Sequence, residues 1–289
     1  MRYRFLRFPG GKPKAVTFSY DDGMRHDIRH AETLNRYGMK CTYNINSGMM
    51  GQHEDSRRMM ASEIQKYILD AGHEVAIHGD QHIASGSVSS VVGIRDALNC
   101  RLALENEFGC IIRGMAFPDS GITRFHNGTT KEQVKKYLKD LGIVYARTLG
   151  GDNDKFELPQ DFLEWMPTVH NRNPKVYEYI DEFLEIDYTS SKMYVMRSWP
   201  KLFYMWGHSF EFGDNDDWQH WETICKKLAN KEDIWYATNI EIYEYVEAYQ
   251  SLVFSADETI AYNPTLKTIW FEVDRKPYSI EPGETLKIL

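Results

Sequence analysis

A rhythm constrains this chain more than any single residue: a short β-rich run, a polar or glycine-containing loop, then a segment with helical spacing, repeated about seven times. Strands are expected at 15–20 (AVTFSY), 41–45, 74–77, 114–117, 144–147, 202–206 and 234–237. Helices are expected at 27–37, 94–108, 131–141, 175–186, 218–229 and 241–249. A further one starts at Ser62 as cap, sets Ile64, Tyr67, Ile68 and Ala71 on one face and stops at Gly72. Gly38, Gly109 and Gly142 stop other helices, and Thr130 caps the one that follows it. Alternation of this kind builds βαβ units and a parallel sheet. About seven units in one run favour a closed α/β barrel over an open doubly wound sheet.

The end of the chain changes character. Residues 251–289 lose the helical period, while 268–273 alternates, with Ile269, Phe271 and Val273 on one face and turns at 274–277 and 281–283. This predicts a small C-terminal β appendage over 251–289, packed on a main domain of 1–250 or on a partner, where it offers a surface for an oligomer contact.

Composition excludes several classes. At 289 residues, folding buries roughly 75% of the surface an unfolded chain exposes, so a sizeable core is available. The 34 basic residues against 42 acidic leave no electrostatic footprint for nucleic acid or an anionic membrane surface. No run of about 18 apolar residues exists, so no membrane span is expected, and the first residues lack the apolar segment of a signal peptide. Cys41, Cys100, Cys110 and Cys225 are scattered without a C-x-x-C pair and read as reduced thiols of a cytoplasmic protein.

Polar residues that resist a packing role fall at the ends of expected strands, the face where parallel barrels carry their active sites. Asp21-Asp22-Gly23 ends the first strand, His78-Gly79-Asp80-Gln81-His82 the third, Arg147 a later one, and Gly207-His208 the one before Phe210. Adjacent carboxylates raise each other's pKa in an apolar setting, and a cation beside them removes the conflict. The alternative is a plain Asp-Gly turn with a helix cap. His78 and His82, four apart, share one face if they lie on a helical turn, a spacing that suits two nitrogen ligands of a divalent metal. A pair of surface histidines remains the alternative. With a carboxylate from another strand end they make His₂Asp, the composition of a catalytic zinc site with an open position. The H-E-x-x-H of metalloproteases is absent.

The order V-T-F-S-Y-D-D-G, G-H-E-V-A-I-H-x-x-x-H, M-A-F-P-D-S-G and W-G-H-S-F resembles the NodB-type polysaccharide deacetylases, carbohydrate esterase family four, over roughly residues 14–250. The resemblance implies a distorted (β/α)7 TIM-like barrel. It implies Asp21 as general base, Asp22, His78 and His82 as ligands of one divalent metal, most often zinc, and His208 as general acid. The family's R-P-P-Y/F-G stretch, whose arginine steadies the base, is replaced here by Met115-Ala116-Phe117-Pro118, with Ala116 near the arginine's place. Arg147 at the next strand end is the substitute expected for Asp21, with Arg113 a poorer one. Ile77 stands where an asparagine often precedes the first histidine. For the Asp–Trp pair that orients the acid, Asp152 and Trp165 are the candidates.

His26, His30, His53 and His73 are expected to be solvated or turn residues. Trp199, Phe203, Tyr204, Trp206, Phe210 and Phe212 cluster in sequence around His208, and Phe210 or Phe212 could wall a sugar site. Residues 215–221 read as a helix start with Asp caps. The function expected is metal-dependent removal of an N- or O-linked acetyl group from a carbohydrate. Its alternatives are a C–N hydrolase acting on a small cyclic amide and a catalytically silent carbohydrate-binding barrel.

Overall fold

The computed structural model describes residues 3–149, 155–188, 195 and 198–288. After a short strand β1 (Arg4–Arg7) the chain enters β2 (Lys14–Asp21), in which every residue is buried. Only a strand covered on both faces reads as such a continuous run. The following elements alternate as the sequence rhythm requires: α1 (His26–Arg36), β3 (Thr42–Ile45), α2 (Ala61–Ile64), β4 (Glu74–Ile77), α3 (Ser90–Phe108), β5 (Gly114–Ala116), α4 (Lys131–Asp140) and β6 (Tyr145–Arg147). Then come β7 (Val169–His170), α5 (Val176–Glu185), β8 (Lys201–Gly207), α6 (Phe210–Asp214), α7 (Trp218–Leu228), β9 (Ile234–Tyr236) and α8 (Asn239–Gln250).

The parallel sheet runs β6-β5-β4-β3-β2-β8-β7, with β9 added beside the start of β2. It curls on itself. Trp165 N donates to Ala146 O (3.0 Å), Thr148 N to Trp165 O (3.0 Å), and Thr168 N to Tyr204 O (2.7 Å), so the segment entering β7 bridges β6 to β8. The distorted (β/α)7 barrel is therefore met, and all the strand ends named above open on one rim.

The rest of the chain adds β10 (Val253–Phe254), β11 (Ile260–Tyr262), β12 (Ile269–Val273), β13 (Lys276–Ile280) and β14 (Thr285–Lys287). These form two antiparallel three-stranded sheets, β10-β11-β14 and β1-β12-β13. The alternating face is observed: Ile269, Phe271 and Val273 are buried. β1 pairs with β12 through Leu6↔Phe271, so residues from the start of the chain join the appendage sheet. One core lies between sheet and helices; a second, including Phe8, Trp165, Tyr245, Ile269 and Phe271, joins barrel to appendage.

Several local expectations are corrected. The helix at 61 starts two residues early, with Met60 and not Ser62 at its cap: Glu63 reaches back to accept from Met60 N (2.9 Å), Ser62 lies inside it, and residues Gln65–Leu69 continue as a π turn. Asp217 does sit at the helix start but gives no cap bond; it pairs with Arg172 at 2.7 Å. The turn at 274–277 shrinks to Asp274 and Arg275, both left-handed, and Pro277 belongs to β13. His30 is fully buried, stacked on Trp221 at 4.1 Å and bonded to the Tyr43 hydroxyl at 2.7 Å, because it falls on the inward face of α1. His73 is buried too and its Nδ1 accepts from Cys41 N at 3.1 Å.

Candidate active site at the barrel rim

β2 delivers Asp21 as its last residue, almost fully buried. Asp22 follows with φ 83° and Gly23 with φ 61°, so two successive left-handed residues turn the chain sharply off the strand. That bend separates the two carboxylates. Asp21 turns to Asn44 Nδ2, which donates to its Oδ1 at 2.8 Å, and to the Arg147 guanidinium, which donates to its Oδ2. Asp22 turns to the histidines, and its Oδ1 has no hydrogen-bond partner among the described residues. Arg58 holds the Asp22 backbone carbonyl.

His78 follows β4 and its Nδ1 donates to Ala116 O at 2.8 Å. That fixes the tautomer and leaves the Nε2 lone pair free. Gly79 (φ 75°) then lets the chain turn; a Cβ there would stand 2.3 Å from Asp96 Oδ2. His82 is itself left-handed, φ 55°. The two rings do meet, with centroids 4.8 Å apart, but across this loop and not on the helical turn expected. Asp22 Oδ1 lies 4.0 Å from His78 Nε2 and 3.7 Å from His82 Nε2. Asp119 Oδ2 lies 3.7 Å from His82 Nδ1. A buried carboxylate oxygen that makes no hydrogen bond among the described residues, 3.6 Å from Arg58 Nη2 and facing two imidazole nitrogens, fits a divalent metal: each donor atom would need to move by only a fraction of its present separation to share an ion at about 2.0–2.2 Å.

Arg147, not Arg113, reaches Asp21; Arg113 pairs with Glu244 at 3.5 Å elsewhere. The guanidinium also lies 4.3 Å over the Trp206 ring. Burial alone would raise the Asp21 carboxyl, but Arg147, His78 and His208 outweigh it and hold it below the usual carboxylate range. Burial pushes His78 down, toward the neutral form a metal ligand requires. His208 follows β8. Burial works against its charge, yet Glu211 beside it, with Asp21 and Asp22, raises its pKa above the ordinary imidazole value. Asp21, His78, His82, Phe117, Trp206 and His208 line one cleft of about 570 Å³. Clefts of similar size occur elsewhere on the molecule, so chemistry and not volume singles this one out.

Three residues near the site carried no sequence signal strong enough to be singled out. Glu211 Oε1 lies 3.5 Å from His208 Nδ1, and also 3.5 Å from Nε2 of His170 at the end of β7. The His–Glu spacing of three across the start of α6 was the one clue available. Asp27, in the first turn of α1, is fully buried; burial first, then the charges of Asp22 and Asp21, against the opposing Ser209 hydroxyl, pushes it up to about 8, so it adds no third negative charge near neutral pH. Of the pair expected to orient the acid, Asp152 lies outside the described residues, and Trp165 packs against Tyr145, Phe162 and Tyr204 in the second core. Of the aromatics, Trp206 and Phe117 line the cleft, Phe210 lies 5.1 Å from His208, Phe212 is core, and Trp199 lies in a different groove.

Comparison with known proteins agrees with this layout. Residues 9–146 match the family model described as polysaccharide deacetylase. Among solved structures, a proposed polysaccharide deacetylase of Mycobacterium smegmatis superposes with a TM-score of 0.56 at 17% identity, covering 86% of this chain and 96% of that one. A family 4 carbohydrate esterase of Streptomyces lividans, in complex with acetate, gives 0.47 at 12% identity, covering 77% and 91%. A Streptococcus pyogenes deacetylase, also with acetate, gives 0.40 at 15% identity; the match spans only 55% of that chain and 46% of this one. No curated protein sequence matches. The segment 9–146, which supplies Asp21, Asp22, His78 and His82, is thus similar to the polysaccharide deacetylases, and the solved structures share its fold.

Proposed function

We propose that the protein hydrolyses an N- or O-linked acetyl group on a carbohydrate, with Asp22, His78 and His82 holding one divalent cation, Asp21 as general base and His208 as general acid. Zinc is the metal the two imidazoles and one carboxylate suit best. One observation supports the reading above all: three donor atoms within 4.8 Å of one another share a rim with a carboxylate held low and an imidazole held high. When bound, the cation would supply Lewis acidity to the acetyl carbonyl and the attacking water.

The chain's own groups then divide the proton work. Asp21, held anionic by Arg147, receives the proton released by water as it attacks the carbonyl carbon. His208, held protonated by Glu211, gives its proton to the leaving nitrogen or oxygen as the C–N or C–O bond breaks. The products are acetate and the free amine or hydroxyl. Trp206 and Phe117 offer apolar walls for sugar C–H faces. A cytoplasmic site of action belongs to the same proposal, since the four cysteines are free thiols. The test is acetate release from chito-oligosaccharides, acetyl-xylan and small cyclic or linear amides after zinc loading and after chelation. Release from an acetylated sugar, lost on chelation, supports the proposal. Turnover of cyclic amides alone, or turnover indifferent to chelation, sinks it.

A further inference from the structure

His170, His208 and Glu211 form a second group of two imidazoles and a carboxylate whose donor atoms lie within 4.8 Å of one another. By residue type it resembles a metal site. The hydrogen bonds around it point elsewhere. Arg172 N donates to His170 Nδ1 at 3.1 Å, so that nitrogen is an acceptor and the proton of the neutral ring sits on Nε2. Nε2 faces Glu211 Oε1 at 3.5 Å, and an N–H there has no lone pair to give a cation. The same oxygen is 3.5 Å from His208 Nδ1, while Glu211 Oε2 is buried and has no hydrogen-bond partner among the described residues.

Glu211 also has somewhere else to go. It lines an outer cleft with Arg172, Asn215, Asp216 and Asp217, and Arg172 already donates to its backbone carbonyl and to Asp217. A carboxylate on three rotatable bonds, on the five-residue α6, would gain water or the Arg172 guanidinium by swinging outward.

We propose that His170 is a positioning residue which pins Glu211 inward, so that one carboxylate orients His208 through Nδ1 and leaves His208 Nε2 to face the leaving group. The inference rests on the reading of His208 as the acid. His170 sets the geometry and never touches substrate. The groups facing His208 are Glu211 from α6, Asp21 and Asp22 at the end of β2, Asp27 from α1, and His170 at the end of β7, which sets the background against which any change is read.

The test uses zinc-loaded full-length protein with isotope-labelled histidine, following the His208 ring by NMR across pH in wild type, His170→Ala and His170→Gln. The glutamine amide can still donate toward Glu211. His170→Ala should move the His208 titration down by about one pH unit, and His170→Gln should restore most of it. On an acetylated amino sugar His170→Ala should lower kcat about tenfold at unchanged KM, while leaving aryl acetate hydrolysis, which needs no strong acid, near wild type. Unmoved His208 titration in His170→Ala overturns the proposal, as does a second zinc equivalent in wild type that His170→Ala removes. The NMR titration needs no substrate, so a chain that deacetylates nothing would overturn the functional reading and leave the positioning role separately judged. Unchanged His78 and His82 resonances report that the variants fold.

Discussion

The groups Asp22–His78–His82 and His170–His208–Glu211 each set two imidazoles and a carboxylate within 4.8 Å of one another on the barrel rim, yet their histidines are wired in opposite senses. The Nδ1–H of His78 donates a hydrogen bond to a backbone carbonyl, Ala116 O, and so leaves the Nε2 lone pair on the side of Asp22. The Nδ1 of His170 accepts a hydrogen bond from a backbone N–H, that of Arg172, and so presents its Nε2–H to Glu211. The sign of one backbone partner separates a nitrogen that can bind a cation from one that can only hold a carboxylate. Residue composition does not reveal this difference; the far side of each ring does.

The comparison can be broken by substitution. The largest effect is expected at the base: Asp21→Asn should lower the deacetylation rate about 10⁴-fold while bound metal stays near wild type. Loss of metal in that variant would place Asp21 in the ligand set. His208→Ala should cut hydrolysis of an acetylated amino sugar by about 10²–10⁴-fold and that of an aryl acetate far less, because an amide nitrogen leaves only with a proton. Equal losses on both substrates would make His208 a packing residue or ligand.

Stability sharpens the contrast next. Arg147 and Asp21 are both nearly fully buried, so Arg147→Ala leaves an unpaired carboxylate and should cost about 3–5 kcal/mol in denaturant melts at neutral pH. Since Asp21 is held low in the folded state, this contribution is present above the unfolded carboxyl's pKa and is lost as pH falls through the folded one. The gap between wild type and variant should therefore narrow in acid, and a gap independent of pH would detach the pair from stability. Glu211→Gln should move the basic limb of the kcat/KM profile down by about one pH unit. His208 is the opposite case: its folded pKa is raised, so the stability it gains from Glu211 is complete below the unfolded imidazole's pKa and disappears as pH rises through the folded one. The smallest effect belongs to Asp119→Asn. Asp119 is largely exposed, and removing its charge from His82 Nδ1 should weaken metal affinity by about tenfold or less in a zinc titration.

The strand ends made the Asp22–His78–His82 group legible in sequence. D-D-G and H-x-x-x-H each follow a β-rich run, and the barrel brings every such end to one rim. Arg147 was legible for the same reason. His170 was not, because β7 is two residues long and its neighbours Asn171, Arg172 and Asn173 look like an ordinary polar loop. Glu211 was hidden by the short α6, which has too few residues to show a period. The burial of His30, expected to be solvated, and of His73, expected to be a turn residue, depends on aromatic neighbours, Trp221 and Tyr43, that sequence distance conceals. The pairing of β1 with β12 joins segments more than 260 residues apart, a contact that no local pattern encodes.

Metal counting tests the central claim most directly, because it asks at once whether the rim binds a cation and which of the two clusters does so. Purified wild type, Asp22→Asn and His170→Ala would be loaded with excess zinc, desalted and analysed for bound metal. The account predicts about one equivalent in wild type, about one in His170→Ala and almost none in Asp22→Asn. One equivalent that survives Asp22→Asn, or one that disappears with His170→Ala, would contradict it.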